Sequence, residues 1–276
     1  MSSATSHAVM PSLSHLPPST WEDVYEPAED TWLLCDALLR ASPGLLLSRP
    51  QLVLEVGPGS GSVCSYLSGL LRGCAGGGAP LVFAVDLNPR ACAVTRETAR
   101  AHGVGARLEV VRCDLGLPLL QRLAGAVDVL LFNPPYVPTP AEEVPRHWAP
   151  RATGASGVGG EAGSTPAGGV GPPPAAAHTH VEADDADPSR RRTLAAGAWA
   201  GGDRGRQVID RLLPLVARLL SPQGVMFMVA LEENAPQELA RRLRRDGLTT
   251  ARVASVRAKN ELLCVLRVRR EGGGSP

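Results

Sequence analysis

Apolar positions in this chain fall into two kinds of pattern. Short continuous runs occupy residues 52–56, 81–85, 108–111, 127–132 and 224–231. Runs of this length, closed by Gly, Asp, Asn or Pro, predict strands covered on both faces. Between them, apolar residues recur every three or four positions, which predicts helices. The spacing places helices over 28–41, from the glycine-rich turn to 71, and over 89–101, 203–220 and 236–246. Trp32, Leu33, Leu34, Ala37, Leu38 and Leu39 supply the apolar face of the first, with Pro27 tolerated just ahead of it. Residues 249–256 and 261–268 read as two final strands joined by a short turn, hence antiparallel. Strands alternating with helices at this spacing mean βαβ units, a parallel sheet and the α/β fold class.

Two stretches break the pattern. Residues 1–20 are rich in Ser and Pro, and residues 150–188 contain 8 Gly, 6 Pro and 9 Ala with almost no large apolar side chain. Neither buries enough apolar surface to offset its ordering entropy, so both are expected to be disordered. The reading is one domain over 21–270, interrupted by a low-complexity insert at about 147–194 and followed by a disordered tail, 271–276. Lys and Arg number 28 against 27 Asp and Glu, which argues against a generally basic nucleic-acid coat. No apolar run approaches the ~18 residues of a membrane span, and no leader pattern is visible in the first twenty residues. Cys35, Cys64, Cys74, Cys92, Cys113 and Cys264 lack paired spacing and read as reduced, mostly buried thiols of a cytoplasmic or nuclear protein.

The candidate chemistry lies at the ends of the strands. After the first comes Gly57-Pro58-Gly59-Ser60-Gly61, a turn that lets a ligand lie against bare main chain beside a helix N-terminus. Glu55, just inside that strand end, would repel a pyrophosphate but pair with an ammonium. Asp86 closes the second strand, placed for two ribose hydroxyls, and Asp114 follows the third, where an adenine would lie. Each acid alone is equally a turn or capping residue. Together with the glycines they describe a ligand with ribose, adenine and a cationic amino-acid end, which is S-adenosyl-L-methionine rather than a nicotinamide dinucleotide.

Asn133-Pro134-Pro135-Tyr136 follows the fourth strand. Two prolines fix the backbone and remove two N–H donors. The Asn133 side-chain oxygen and the Pro134 carbonyl can then face outward as acceptors for the two hydrogens of a planar NH2 group. Holding both exposes the nitrogen lone pair to a sulfonium methyl, while Tyr136 stacks on the acceptor. Catalysis is then mostly alignment and desolvation.

These residues resemble the Asn-Pro-Pro-Tyr class of S-adenosylmethionine-dependent methyltransferases. One branch is closer. Asp23-Val-Tyr-Glu-Pro-Ala-Glu-Asp-Thr31, Leu54-Glu-Val-Gly-Pro-Gly-Ser-Gly61, Asp86-Leu-Asn-Pro89, Phe132-Asn-Pro-Pro-Tyr-Val137 and Trp199-Ala-Gly-Gly-Asp-Arg-Gly-Arg-Gln-Val-Ile-Asp210 resemble eukaryotic HemK-like release-factor glutamine methyltransferases. The resemblance implies a Rossmann-like class I fold, with a seven-stranded, mostly parallel sheet whose last strand is antiparallel and helices on both faces. It implies cofactor contacts at Thr31, Glu55, Gly57, Gly59, Asp86, Asp114, Leu115 and Asn133, with Asn133 also meeting the substrate amide. The implied acceptor is the glutamine of the Gly-Gly-Gln motif of a translation termination factor. The implied partner is a small zinc-binding activator protein. Related members are assigned histone H4 lysine, arsenical and adenine N6 methylation.

Other readings stay open on the residues alone. An adenine amine satisfies the same two-acceptor corner, but the chain lacks a target-recognition domain and net positive charge. A lysine must first lose a proton, and no base is evident. An insert that blocks the mouth would leave a binding partner without activity. His178 and His180 beside Asp184, Asp185 and Asp187 sit in the low-complexity stretch, and no metal site is expected there. Arg190 to Arg192 and Arg241, Arg242, Arg244 and Arg245 read as solvated basic clusters, or as contacts to a partner. Trp199 packs either beside the site or into the core. The strongly apolar late strands are expected to offer one face to the activator.

Overall fold

A computed structural model describes residues 10–73, 78–140, 197–258 and 261–272. The elements are α1 (Glu29–Ser48), β1 (Leu52–Val56), α2 (Ser62–Leu70), β2 (Leu81–Asp86), α3 (Pro89–Ala101), β3 (Leu108–Arg112), α4 (Leu120–Leu123), β4 (Val127–Phe132), α5 (Gln207–Leu219), β5 (Leu220–Leu231), α6 (Pro236–Arg245), β6 (Leu248–Ala258) and β7 (Glu261–Arg270). The strands form one seven-stranded sheet in the order β3-β2-β1-β4-β5-β7-β6. Every pairing is parallel except those of β7, which runs antiparallel to both β5 and β6.

The continuous apolar runs are explained by cover on both faces. Val53, Val82, Val129, Leu131, Phe227 and Val265 share one core layer with residues of α1, α2 and α3. Leu54, Leu130, Phe132, Met226, Met228 and Leu266 share the other with residues of α5 and α6. The two strongly apolar late strands therefore find their cover inside this chain, because Leu263, Cys264, Val265 and Leu266 are all buried. This corrects the expectation that one of their faces waits for a partner. The sheet ends instead at β6, where polar and exposed positions dominate.

One helix runs further than the sequence reading placed it. The α1 helix continues beyond residue 41 to Ser48 and carries Pro43 inside it. A proline there leaves the carbonyl four residues earlier without its N–H, and the Ser42 hydroxyl donates to that carbonyl, Leu39, at 2.7 Å. The same repair occurs in α5, where Pro214 would orphan the Asp210 carbonyl. The Arg242 guanidinium reaches it at 3.4 Å. Arg242 is thus a structural cation, while Arg241, Arg244 and Arg245 lie on the exposed face.

The disorder expected of residues 1–20 does not hold for the last eleven. Residues 18–22 form a 3-10 turn, and Leu16 joins Val24 in packing on Ala91 and Val94 of α3. His15 and His102 add polar ties, through Thr98 and the Ser12 carbonyl. One buried leucine and a few such contacts order the segment, an effect too sparse for composition to show. Of the tail, Glu271 still donates to the Gly247 carbonyl at 2.9 Å. The insert at 147–194, with its histidines and Arg190 to Arg192, lies outside the described residues.

After β4 the chain is held from behind. Val137 donates to the Trp199 carbonyl at 3.1 Å, Gly201 to Val137 at 2.8 Å, and Thr139 to Gly202 at 3.1 Å. Trp199 itself is 41% exposed, so it is not a core anchor. Gly205 sits at φ +66° against the Tyr136 carbonyl, where any Cβ would overlap that oxygen and crowd Asn234 Nδ2. Gly205→Ala is expected to lower unfolding free energy by ~3 kcal/mol or more, measured by urea denaturation. Gly125→Ala, at a similar φ of +68° with nothing within 4 Å, should cost only about 1 kcal/mol, which separates the clash from the conformational strain.

Candidate active site

The strand order turns back between β1 and β4, and the main cavity opens at the carboxyl ends of these strands, where open α/β sheets bind ligands. Thr31, Glu55, Gly57, Gly59, Asp86, Asp114, Leu115 and Asn133 all line it, as do Pro134 and Pro135. Gly197 and Ala198, which follow directly on the undescribed segment 141–196, close one side.

The glycine turn shapes the floor. Gly57, Gly59 and Gly61 all take positive φ, and a Cβ on Gly61 would lie 2.8 Å from Thr95 Cα. The turn therefore lets α2 start hard against α3. Strand alternation sends Glu55 to the same side as Val53, toward α2, where its carboxylate accepts the Cys64 N–H at 3.0 Å. Burial pushes the Glu55 carboxyl up to about 7, against the opposing hydrogen bonds from Cys64. Asp86 accepts the Gly59 N–H at 3.3 Å and the Asn88 N–H at 2.9 Å, which ties β2 to the turn. Burial likewise raises the Asp86 carboxyl, to about 6. Asp114 accepts from the Arg211 guanidinium. The two residues after it, Leu115 and Gly116, are both left-handed, a tight turn that keeps Asp114 and Leu115 at the cavity wall.

The corner after β4 is fixed by a residue that the sequence reading did not single out. Asn133 Nδ2 donates to Asp30 Oδ2 at 2.8 Å. A carboxylate only accepts, so this bond assigns the amide's orientation. It leaves Asn133 Oδ1 buried with no partner among the described residues. The other Asp30 oxygen accepts the Thr31 N–H at 2.7 Å, the Thr31 hydroxyl at 3.3 Å and the Tyr25 hydroxyl at 3.1 Å. Asp30 was visible only as one acid in the first turn of a helix, where acids are ordinary. Its partner is 103 residues away.

Tyr136 lies elsewhere than expected. It lines a neighbouring recess with Tyr25, Glu29 and Leu263 rather than the main cavity. Burial together with the Asp30 charge drives its phenol well above the ordinary tyrosine range. That recess shares Tyr25 and Asp30 with the main cavity. Two further residues escaped the sequence reading because they act through the backbone. Asn234, fully buried, donates to the Tyr136 and Arg204 carbonyls at 2.9 and 2.8 Å and accepts the Leu231 N–H. Gly205 supplies the matching space.

This donor set fits S-adenosylmethionine. A buried carboxylate at Glu55 and half-buried ones at Asp86 and Asp114 can accept from an ammonium and from vicinal hydroxyls, and a cleft floored by glycines admits the ligand close to main chain. In the free protein the Glu55 shift has a signed consequence. Its folded-state value, about 7, exceeds the ordinary 4.5, so the folded state holds the proton more tightly and stability falls as pH rises from about 4.5 to 7. Glu55→Gln should therefore gain on the wild type by up to about 3 kcal/mol at pH 8, yet match it near pH 4. Chemical denaturation of the ligand-free protein at the two pH values measures this difference.

No protein-family model matches the chain. Individual relatives do. The chain is 37% identical to "Methyltransferase HEMK2" of Mus musculus over 93% of its own length and 94% of the relative's. It is 37% identical to the protein of the same name from Homo sapiens, covering 92% of each. It is 31% identical to "eRF1 methyltransferase catalytic subunit mtq2" of Schizosaccharomyces pombe, over 95% and 96%. Among solved structures, the E. cuniculi Mtq2-Trm112 complex aligns with 90% of this chain and 99% of that one, at 24% identity and a TM-score of 0.49. Near-complete coverage at this identity, on a cavity whose donors suit S-adenosylmethionine, means that the chain belongs to the eukaryotic HemK-like methyltransferases.

Proposed function

We propose that this methyltransferase methylates the side-chain amide nitrogen of a glutamine, in the Gly-Gly-Gln motif of a translation termination factor. We propose further that it works as the catalytic subunit of a heterodimer with a small zinc-binding activator. The observation that carries the acceptor is Asn133 Oδ1, an acceptor held in place with no donor to it among the described residues. An unmade hydrogen bond at a buried oxygen costs ~1–3 kcal/mol, and a primary amide supplies the missing N–H. The fission yeast relative's name, a catalytic subunit acting on eRF1, supports the same substrate and a partnered enzyme.

Bound S-adenosylmethionine supplies a methyl group activated by its sulfonium. The chain's own work is placement. Glu55 answers the ammonium, Asp86 the ribose hydroxyls, and Asp114 with Leu115 the adenine. Asn133 Oδ1 and the Pro134 carbonyl take the two amide hydrogens. Pro134 and Pro135 bring no N–H of their own to compete. As the N–C bond forms the S–CH3 bond breaks and S-adenosylhomocysteine is the leaving group. The surplus amide proton, made acidic by the transfer, passes to water, so no strong base is needed, and Asp30 is already engaged by four donors. A lysine acceptor would need such a base, which places histone methylation second.

Asn133→Ala should lower the rate of transfer by about 10^2–10^3, while cofactor affinity stays within a few-fold. Asp86→Ala should do the reverse and chiefly weaken cofactor binding. Isothermal titration and single-turnover rates separate the two, and equal losses in both parameters for both variants would reject the assignment. For the acceptor, a Gly-Gly-Gln domain and adenine-containing DNA are compared side by side with the activator present. Mass spectrometry should find methyl on the glutamine; methyl on DNA alone overturns the reading.

A further inference from the structure

We infer that Arg211 is a positioning residue for the cofactor, one that fixes the Asp114 carboxylate so that the cavity prefers a 6-aminopurine to a 6-oxopurine. The inference rests on the reading above that adenine lies at Asp114. Arg211 stands on α5, three residues after Val208, which itself lines the cavity. Its guanidinium takes Asp114 Oδ2. The other carboxylate oxygen has no hydrogen-bond partner among the described residues. The backbone at Asp114 is pinned as well, because its carbonyl accepts the Leu117 N–H at 2.9 Å across the left-handed pair Leu115 and Gly116.

The neighbouring arginines serve packing between helices. Arg206 is shared by Asp210 and Glu238, Arg204 goes to Glu238, and Arg242 to Asp210. None of those carboxylates lines the cavity, whereas Asp114 does. Nor is Arg211 placed to satisfy its own hydrogen bonds. Its Nη1 is buried without a partner among the described residues, so the side chain spends one end unsatisfied while the other holds the carboxylate. A carboxylate has only acceptor sites. With one oxygen occupied and the rotamer fixed, the free oxygen accepts from the amino group of adenine. It faces a 6-oxo group lone pair to lone pair. Without Arg211 the carboxylate can turn and be met by water, and both the affinity and the discrimination decline.

The test is titration calorimetry on the full-length chain with S-adenosylhomocysteine and its 6-oxo counterpart, S-inosylhomocysteine. Wild type should favour the adenosyl ligand. Arg211→Met should lose roughly tenfold of the adenosyl affinity, the worth of about one hydrogen bond to a charged group, and little of the inosyl affinity. Arg211→Lys, which keeps a cation at the site, should restore part of the preference, a recovery that a packing defect would not show. Equal loss for both ligands in Arg211→Met, or no loss, overturns the proposal. Asp114→Asn keeps the two possible failures apart. If it leaves both affinities unchanged, the adenine is not at Asp114. If it abolishes the preference while Arg211→Met does not, the adenine placement stands and the role of Arg211 falls.

Discussion

The hydrogen bond between Asp30 and Asn133 is the constraint on which the site depends. It joins the first turn of α1 to the end of β4 and decides which atom of the asparagine amide is left over. An amide free to rotate would present a donor as readily as an acceptor. With Nδ2 committed to a buried carboxylate, only oxygen remains. The carboxylate is in turn held by Thr31 and Tyr25. The Asn133 corner and the motif before α1 are therefore one hydrogen-bonded unit, although the chain separates them by four strands.

The unit is rigid because each of its supports is itself packed. The α1 helix lies on the sheet through Leu34, Leu38 and Leu45, and the Ser42 hydroxyl lets it run unbroken across Pro43. The corner's backbone is gripped by Asn234 and by the loop at Gly205. The segment ahead of α1 is fastened to α3 through Asn88, which caps that helix at Arg90 and also binds the Asp23 carbonyl at 2.7 Å. A reaction that works by alignment needs such a scaffold more than it needs a reactive side chain, since misplacement by about 1 Å is costly.

Much of this was legible in the sequence. The strands of the parallel half announce themselves because cover on both faces demands unbroken apolar runs. The glycine turn and the acids at the strand ends are local signals, read within a few residues of one another. What escaped the reading is long-range or carried by main chain. The carboxylate of Asp30 gains its meaning from a partner 103 residues on. Asn234 and Gly205 act on carbonyl groups, which carry no residue signature. That Tyr136 lines an adjoining recess with Tyr25 is likewise a matter of packing. The length of α1 was misjudged because a proline normally ends a helix, and the repair rests on a single hydroxyl.

The chain that leaves the corner at Thr139 and returns at Trp199 is clipped at both ends. Val137 and Thr139 on one side pair with Trp199, Gly201 and Gly202 on the other, and Gly202 also donates to the Thr139 hydroxyl at 3.0 Å. A gap whose edges are fastened in this way is entropically forgiving. Each doubling of the span between them adds only about 0.6 kcal/mol to the closure term. The clip thus fixes where the span begins and ends at a closure cost that depends only weakly on how many residues lie between its jaws.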